Sequence, residues 1–125
     1  MLLNCCVFSK TEDFSMPQKT VMIDLDGVLD DYKFYEEDKI PPIKQGAKEF
    51  LERLSKNYRL VLFTTRNAKL AHNWLIDNKI DRYFYNVTNV KEPAFVYLDD
   101  RGINFDGDFE KALDKIQNFK PYWKN

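Results

Sequence analysis

Thr20-Val21-Met22-Ile23-Asp24-Leu25-Asp26-Gly27-Val28-Leu29 decides how this chain is read. The run from Thr20 to Leu25 is short and continuously apolar until it meets its acids, the pattern of a strand buried on both faces of a parallel sheet. Residues 26–42 are rich in Asp, Gly, Tyr and Pro and read as irregular or hairpin structure. Two later runs repeat the theme: Arg59-Leu60-Val61-Leu62-Phe63 stops at Thr64-Thr65-Arg66, and Ala94-Phe95-Val96-Tyr97-Leu98 stops at Asp99-Asp100. Amphipathic stretches lie between them. Pro41-Pro42 opens a helix expected over residues 43–56, with Ala47, Phe50, Leu51 and Leu54 on one stripe. A second helix is expected over 67–78, with Leu70, Ala71, Trp74 and Leu75 facing the core; residues 82–87 read as another strand, and 108–118 as a last helix. Strands alternating with helices predict an α/β fold: a doubly wound, mainly parallel sheet with helices on both faces.

Composition narrows the setting. A chain of 125 residues fits a single domain, read here as an N-terminal extension over 1–18 and one domain over 19–125. A formal net charge of -1 offers no broad basic field for nucleic acid or for an acidic membrane surface. Met1 to Phe8 is mildly apolar but too short to span a bilayer, and lacks a basic leader. Cys5 and Cys6 are neighbours and form no disulfide framework, so reduced thiols in a cytoplasmic protein are expected. The lone histidine, His72, sits on a helix beside core positions and reads as structural or exposed.

The chemistry is expected where the strands end. Asp24 and Asp26, Thr64, and Asp99 with Asp100 each close an expected strand, and ligands of open α/β sheets bind outside those carboxyl ends. Lys91 lies on the connection entering the last strand and can reach the same edge. Clustered carboxylates repel one another, and a hard divalent cation with oxygen ligands, Mg²⁺, relieves that repulsion. Lys91, the Thr64 hydroxyl and backbone N–H groups near Gly27 could hold a phosphoryl group. A shielded carboxylate can then attack phosphorus while a second, two residues on, protonates the leaving oxygen. In a strand that is just ending, residues i and i+2 point the same way, so Asp24 and Asp26 are expected to share a face. Asp30 and Asp31 read as solvated loop acids, and Tyr32, Phe34 and Tyr35 as either the lining of a substrate entrance or a packed flap.

Four segments resemble motifs of haloacid dehalogenase-like phosphatases, in family order. Val21-Met22-Ile23-Asp24-Leu25-Asp26-Gly27-Val28-Leu29 is similar to motif I, and Val61-Leu62-Phe63-Thr64-Thr65-Arg66 to motif II. Lys91-Glu92-Pro93 resembles motif III, and Val96-Tyr97-Leu98-Asp99-Asp100-Arg101 the acidic motif IV. The likeness runs from about residue 20 to 118. It implies a Rossmann-like core and a magnesium-dependent phosphomonoesterase. Asp24 would be nucleophile and metal ligand, and Asp26 general acid/base, binding metal through its carbonyl. Thr64 and Lys91 would hold phosphoryl oxygens, with Gly27, Thr65 and Arg66 as further phosphate or substrate contacts. Asp99 would bind the metal, and Asp100 would do so directly or through a bound water.

Departures from the family are informative. Val28 stands where many relatives carry Thr, and the stretch between Asp24 and Thr64 is too short for a separate cap domain. An open site implies a large phosphorylated substrate, or a second copy serving as lid in a homo-oligomer. Dehalogenases lack the second motif I carboxylate, so Asp26 sets them aside. A receiver domain needs an acceptor Asp where this chain has Thr64-Thr65. The remaining alternative is a module of the same fold that binds phosphate or assembles with little turnover.

Overall fold

The computed structural model describes residues 18–124. The readings of the N-terminal extension and of Cys5 and Cys6 lie outside these residues, apart from Gln18. The elements in chain order are β1 (Thr20–Asp24), α1 (Ala47–Ser55), β2 (Arg59–Phe63), α2 (Ala68–Asp77), β3 (Phe84–Thr88), β4 (Val96–Leu98) and α3 (Phe109–Gln117), with a 3₁₀ turn at Asp81–Tyr83.

The strands form one sheet in the order β3-β2-β1-β4, every neighbouring pair parallel. The chain steps outward from β1 to β2 to β3, then crosses back to lay β4 on the free side of β1. The direction of winding therefore reverses at β1. The gap beyond the carboxyl ends of β1 and β4 is the switch point at which such sheets bind ligands. No helix among the described residues is long and apolar enough to cross a membrane.

Strand alternation builds the core. Val21, Ile23, Leu60 and Leu62 point to one face and meet Ala47 and Leu51 of α1 and Ala71 and Leu75 of α2. Leu51, Leu62 and Leu75 are wholly buried. Each such side chain contributes about 1.5–3 kcal/mol by leaving water. The opposite face carries Met22 and Val61, also buried. The returning connection crosses there, and the Glu92 N–H donates to the Met22 sulfur at 3.3 Å. Helix α3 buries none of its residues.

Two helix starts show how local chemistry sets boundaries. Asn67 caps α2, its side-chain oxygen accepting the Leu70 N–H at 3.0 Å. By contrast, Pro41-Pro42 does not open α1. The Asp31 N–H donates to the Pro42 carbonyl, the Lys44 N–H donates to the Leu29 carbonyl, and Ile43 bridges antiparallel to Asp30. Residues 31–42 are thereby closed into a flap beside the end of β1, and α1 starts only after Gly46, whose φ is +90°.

Candidate functional site

Asp24 is the last residue of β1, and the parallel register of β1 with β4 sets Ile23 beside Leu98. The residues that follow Leu98, Asp99 and Asp100, are therefore delivered next to Asp24. One carboxylate oxygen from each of the three lies within 4.8 Å of the others. Asp24 Oδ1 accepts the Leu25 N–H at 2.9 Å, and Asp99 Oδ1 accepts the Arg101 N–H at 2.8 Å. Burial, a hydrogen bond with Asp100 and the charges of Asp99 and Asp100 push the Asp24 carboxyl up to about 8. A hard cation relieves that crowding, and three carboxylate oxygens are the donor set it takes. The cluster fits Mg²⁺ on its chemistry, with Asp24, Asp99 and Asp100 as the side chains that could hold it.

Asp26 does not join this cluster. The strand ends at Asp24 and the chain bends after it, so Asp26 is not carried on the strand, although both residues still border one cavity. Asp26 Oδ2 instead accepts the Nε–H of Arg66 at 2.8 Å. Arg66 is only 4% exposed, and its Nη1 donates to the Glu36 carbonyl at 2.7 Å and the Glu37 carbonyl at 3.3 Å. The reading of Arg66 as an open phosphate contact gives way to this geometry: the guanidinium ties Asp26 to the flap.

Asp30 is also corrected. It is 1% exposed rather than solvated, and its Oδ1 accepts the Gly27 N–H at 3.0 Å. That N–H is consequently spoken for, and is not free for a phosphoryl oxygen as the sequence implied. Asp26 Oδ1 and Asp30 Oδ2 are both buried acceptors with no donor. One proton shared between the two carboxyls satisfies both. Burial and the hydrogen bond with Asp26 push the Asp30 carboxyl up to about 8, the direction that favours a shared proton.

Gly27 matters for its missing side chain. Its φ is +85°, and a Cβ there would overlap the Asp100 carboxylate and stand 2.9 Å from Trp123 Nε1. The loop can pass beneath Asp100 only as glycine. Two residues that sequence reasoning left unassigned complete the surroundings. The Tyr122 hydroxyl donates to the Gly27 carbonyl at 2.6 Å, and Trp123 Nε1 donates to Asp100 Oδ2 at 2.5 Å. Both reach back to the loop after β1 and its neighbour Asp100. Trp123→Phe keeps a ring but removes the donor to a carboxylate. It is expected to cost about 1.5–3 kcal/mol, read as a lower urea midpoint.

A cavity of about 280 Å³ is shared by Asp24, Asp26, Thr64, Thr65, Asp99 and Asp100. Thr64 is buried at its inner side and its Oγ1 accepts the Arg66 N–H at 3.2 Å, leaving the hydroxyl proton free to donate. Thr65 is exposed. Lys91 opens instead on a neighbouring cavity that also contains Asp24 and Asp99, and its Nζ lies 4.5 Å from the Tyr97 ring centroid. The structure thus brings Asp24, Asp99, Asp100 and Thr64 together, and leaves Lys91 to one side of the cluster.

The raised carboxyls give a pH signature. In the folded, metal-free protein Asp24 and Asp30 hold their protons up to about 8, against an ordinary value of 3.8. Their contribution to stability is full below the ordinary value and is lost as pH rises through the folded one. Melting of the metal-free protein is expected to fall steadily between about pH 5 and pH 8, with added magnesium restoring more at the upper end. A metal-free melting temperature that climbs over that range contradicts these environments.

No family model matches the chain, and no curated protein matches it either. A solved structure of a conserved protein from Bacteroides thetaiotaomicron is similar to it, with a TM-score of 0.56 and 21% sequence identity. The likeness covers 85% of this chain and 95% of that one. At this identity it establishes the fold alone: an α/β, Rossmann-like arrangement around an all-parallel four-stranded sheet.

Proposed function

We propose that this chain is a magnesium-dependent phosphomonoesterase working through an aspartyl-phosphate on Asp24. The observation that carries the reading is the Asp24, Asp99 and Asp100 cluster at the switch point, its oxygens within 4.8 Å. The likeness to haloacid dehalogenase-like phosphatases over four motifs supports it. Bound there, magnesium would neutralise the carboxylates and draw charge from the phosphoryl oxygens.

The residues divide the work. A carboxylate oxygen of Asp24 attacks phosphorus, and the bond from phosphorus to the ester oxygen breaks. The proton held between Asp26 and Asp30 passes through Asp26 to the departing alkoxide. Arg66 donates to one oxygen of Asp26 and leaves the other clear of that contact. Asp26, now a base, takes a proton from water as that water attacks phosphorus, and Asp24 and inorganic phosphate are released. The Thr64 hydroxyl would donate to a phosphoryl oxygen, and Lys91 would supply positive charge from the adjoining cavity.

Phosphate release from a panel of phosphomonoesters, with magnesium and with EDTA, tests the proposal. Turnover that vanishes with EDTA is the expected result. The second reading, a phosphate-binding module with little turnover, draws on the position of Lys91 over Tyr97. Magnesium-dependent phosphate binding without release would favour it.

A further inference from the structure

The flap beside the cluster presents aromatic rings. Tyr32 and Tyr35, with Arg101, border the same 280 Å³ cavity that contains Asp24 and Thr64. As a packed flap these rings would be buried. Instead Tyr35 is 56% exposed and its neighbour Phe34 is 67% exposed.

Tyr35 is exposed and Tyr32 half-buried, and each ring has a partner packed against it. The guanidinium carbon of buried Arg66 sits 4.8 Å from the Tyr35 ring centroid, and Arg66 is itself tied to the flap backbone. Tyr32 meets Trp123 edge-on, with centroids 4.9 Å apart and planes at 80°, and Trp123 is tied to Asp100. The Arg101 guanidinium lies 5.2 Å over the same indole. Rings fixed before binding offer a stacking surface without the entropy cost of ordering it. They also sit at the mouth of a site whose inner wall is carboxylates and a threonine.

We infer that Tyr35 and Tyr32 form a stacking subsite for the base of a nucleoside monophosphate whose phosphate sits at Asp24. A sugar phosphate has no flat face to lay on these rings. A phosphotyrosine ring is bonded through a single oxygen to phosphorus, so it would be drawn in among the carboxylates. A nucleotide interposes its pentose, leaving the charged group at the acids and the base at the flap. Base stacking on aromatic side chains tolerates any base.

The inference rests on the phosphomonoester reading of the site, and a binding measurement separates the two. Full-length Asp24→Asn protein with magnesium is titrated calorimetrically with adenosine 5′-monophosphate, ribose 5-phosphate and phosphotyrosine. The nucleotide is expected to bind roughly tenfold more tightly than ribose 5-phosphate. Tyr35→Leu in that background should close the gap by weakening the nucleotide, and Tyr35→Phe should preserve it, which separates a lost ring face from a disturbed flap. Equal affinities for nucleotide and ribose phosphate, preference for phosphotyrosine, or no binding of any of the three overturns the subsite. A nucleotide preference in a protein whose wild type releases no phosphate sustains the subsite and removes the phosphatase.

Discussion

Asp24→Asn is expected to lower phosphate release by roughly 10⁴-fold or more, the scale on which loss of an attacking residue acts. An amide oxygen cannot displace an alkoxide from phosphorus, and no other carboxylate stands in the same position at the end of β1. The substitution should leave the fold intact. Asn keeps an oxygen for the Leu25 N–H, which Asp24 Oδ1 accepts at 2.9 Å. It is also neutral, as Asp24 itself is in the metal-free protein below about 8. Melting curves of the metal-free variant should therefore match wild type at about pH 4 and below and exceed it by a growing margin as pH rises towards 8, because wild-type Asp24 ionises in the unfolded chain while the fold holds it neutral. Stabilisation by added magnesium should shrink, because one of the three clustered oxygens becomes an amide. Activity retained within tenfold of wild type would mean that another group attacks phosphorus.

Arg66→Ala is the largest structural change expected. It strips Asp26 of its cation and frees the Glu36 and Glu37 carbonyls of the flap. Breaking a buried pair by removing one partner costs about 3–5 kcal/mol. Domains of this size have about 5–15 kcal/mol in all, so the loss is a large share. Arg66→Lys should recover little of it. An ammonium is a point donor and cannot reach a carboxylate and two carbonyls at once, whereas the guanidinium fork does. Urea unfolding reads the stability, and amide hydrogen exchange in residues 31–42 reads the release of the flap. A midpoint for Arg66→Ala close to wild type would show that the contacts among Arg66, Asp26 and the flap contribute little.

The sheet was legible because burial on two faces leaves an unmistakable trace. The run Arg59–Phe63 is the strand it was expected to be, and the β1 run loses only Leu25. Helix boundaries moved where backbone partners outside the helix intervened, as at Ile43 and Lys44, which serve the flap. The acids at strand ends were legible for the same reason as the strands. Asp24, Asp99 and Asp100 meet because a parallel register brings like ends together. Asp26, Asp30 and Arg66 were not, since their pairing depends on a bend after β1 that no periodicity encodes. An Asp in a polar loop carries no mark of burial, and Asp30 and Asp31 look alike in sequence. Yet Asp30 is enclosed, while Asp31 is exposed 4.0 Å from Lys44. The C-terminal Tyr122 and Trp123 signalled only that large rings need covering. That they cover the loop around Gly27 follows from where α3 releases the chain.

The central claim is a phosphoryl group carried on Asp24, and acid-quenched turnover followed by peptide mass mapping tests it most directly. Wild type and Asp26→Asn are mixed with substrate and magnesium, quenched, digested and mapped. The expected result is one added phosphoryl group on the peptide containing Asp24, forming and decaying more slowly in Asp26→Asn, which lacks the acid of the first step and the base of the second, and absent with EDTA. Release of phosphate with no such adduct in either protein, or with the adduct on another residue, would contradict it.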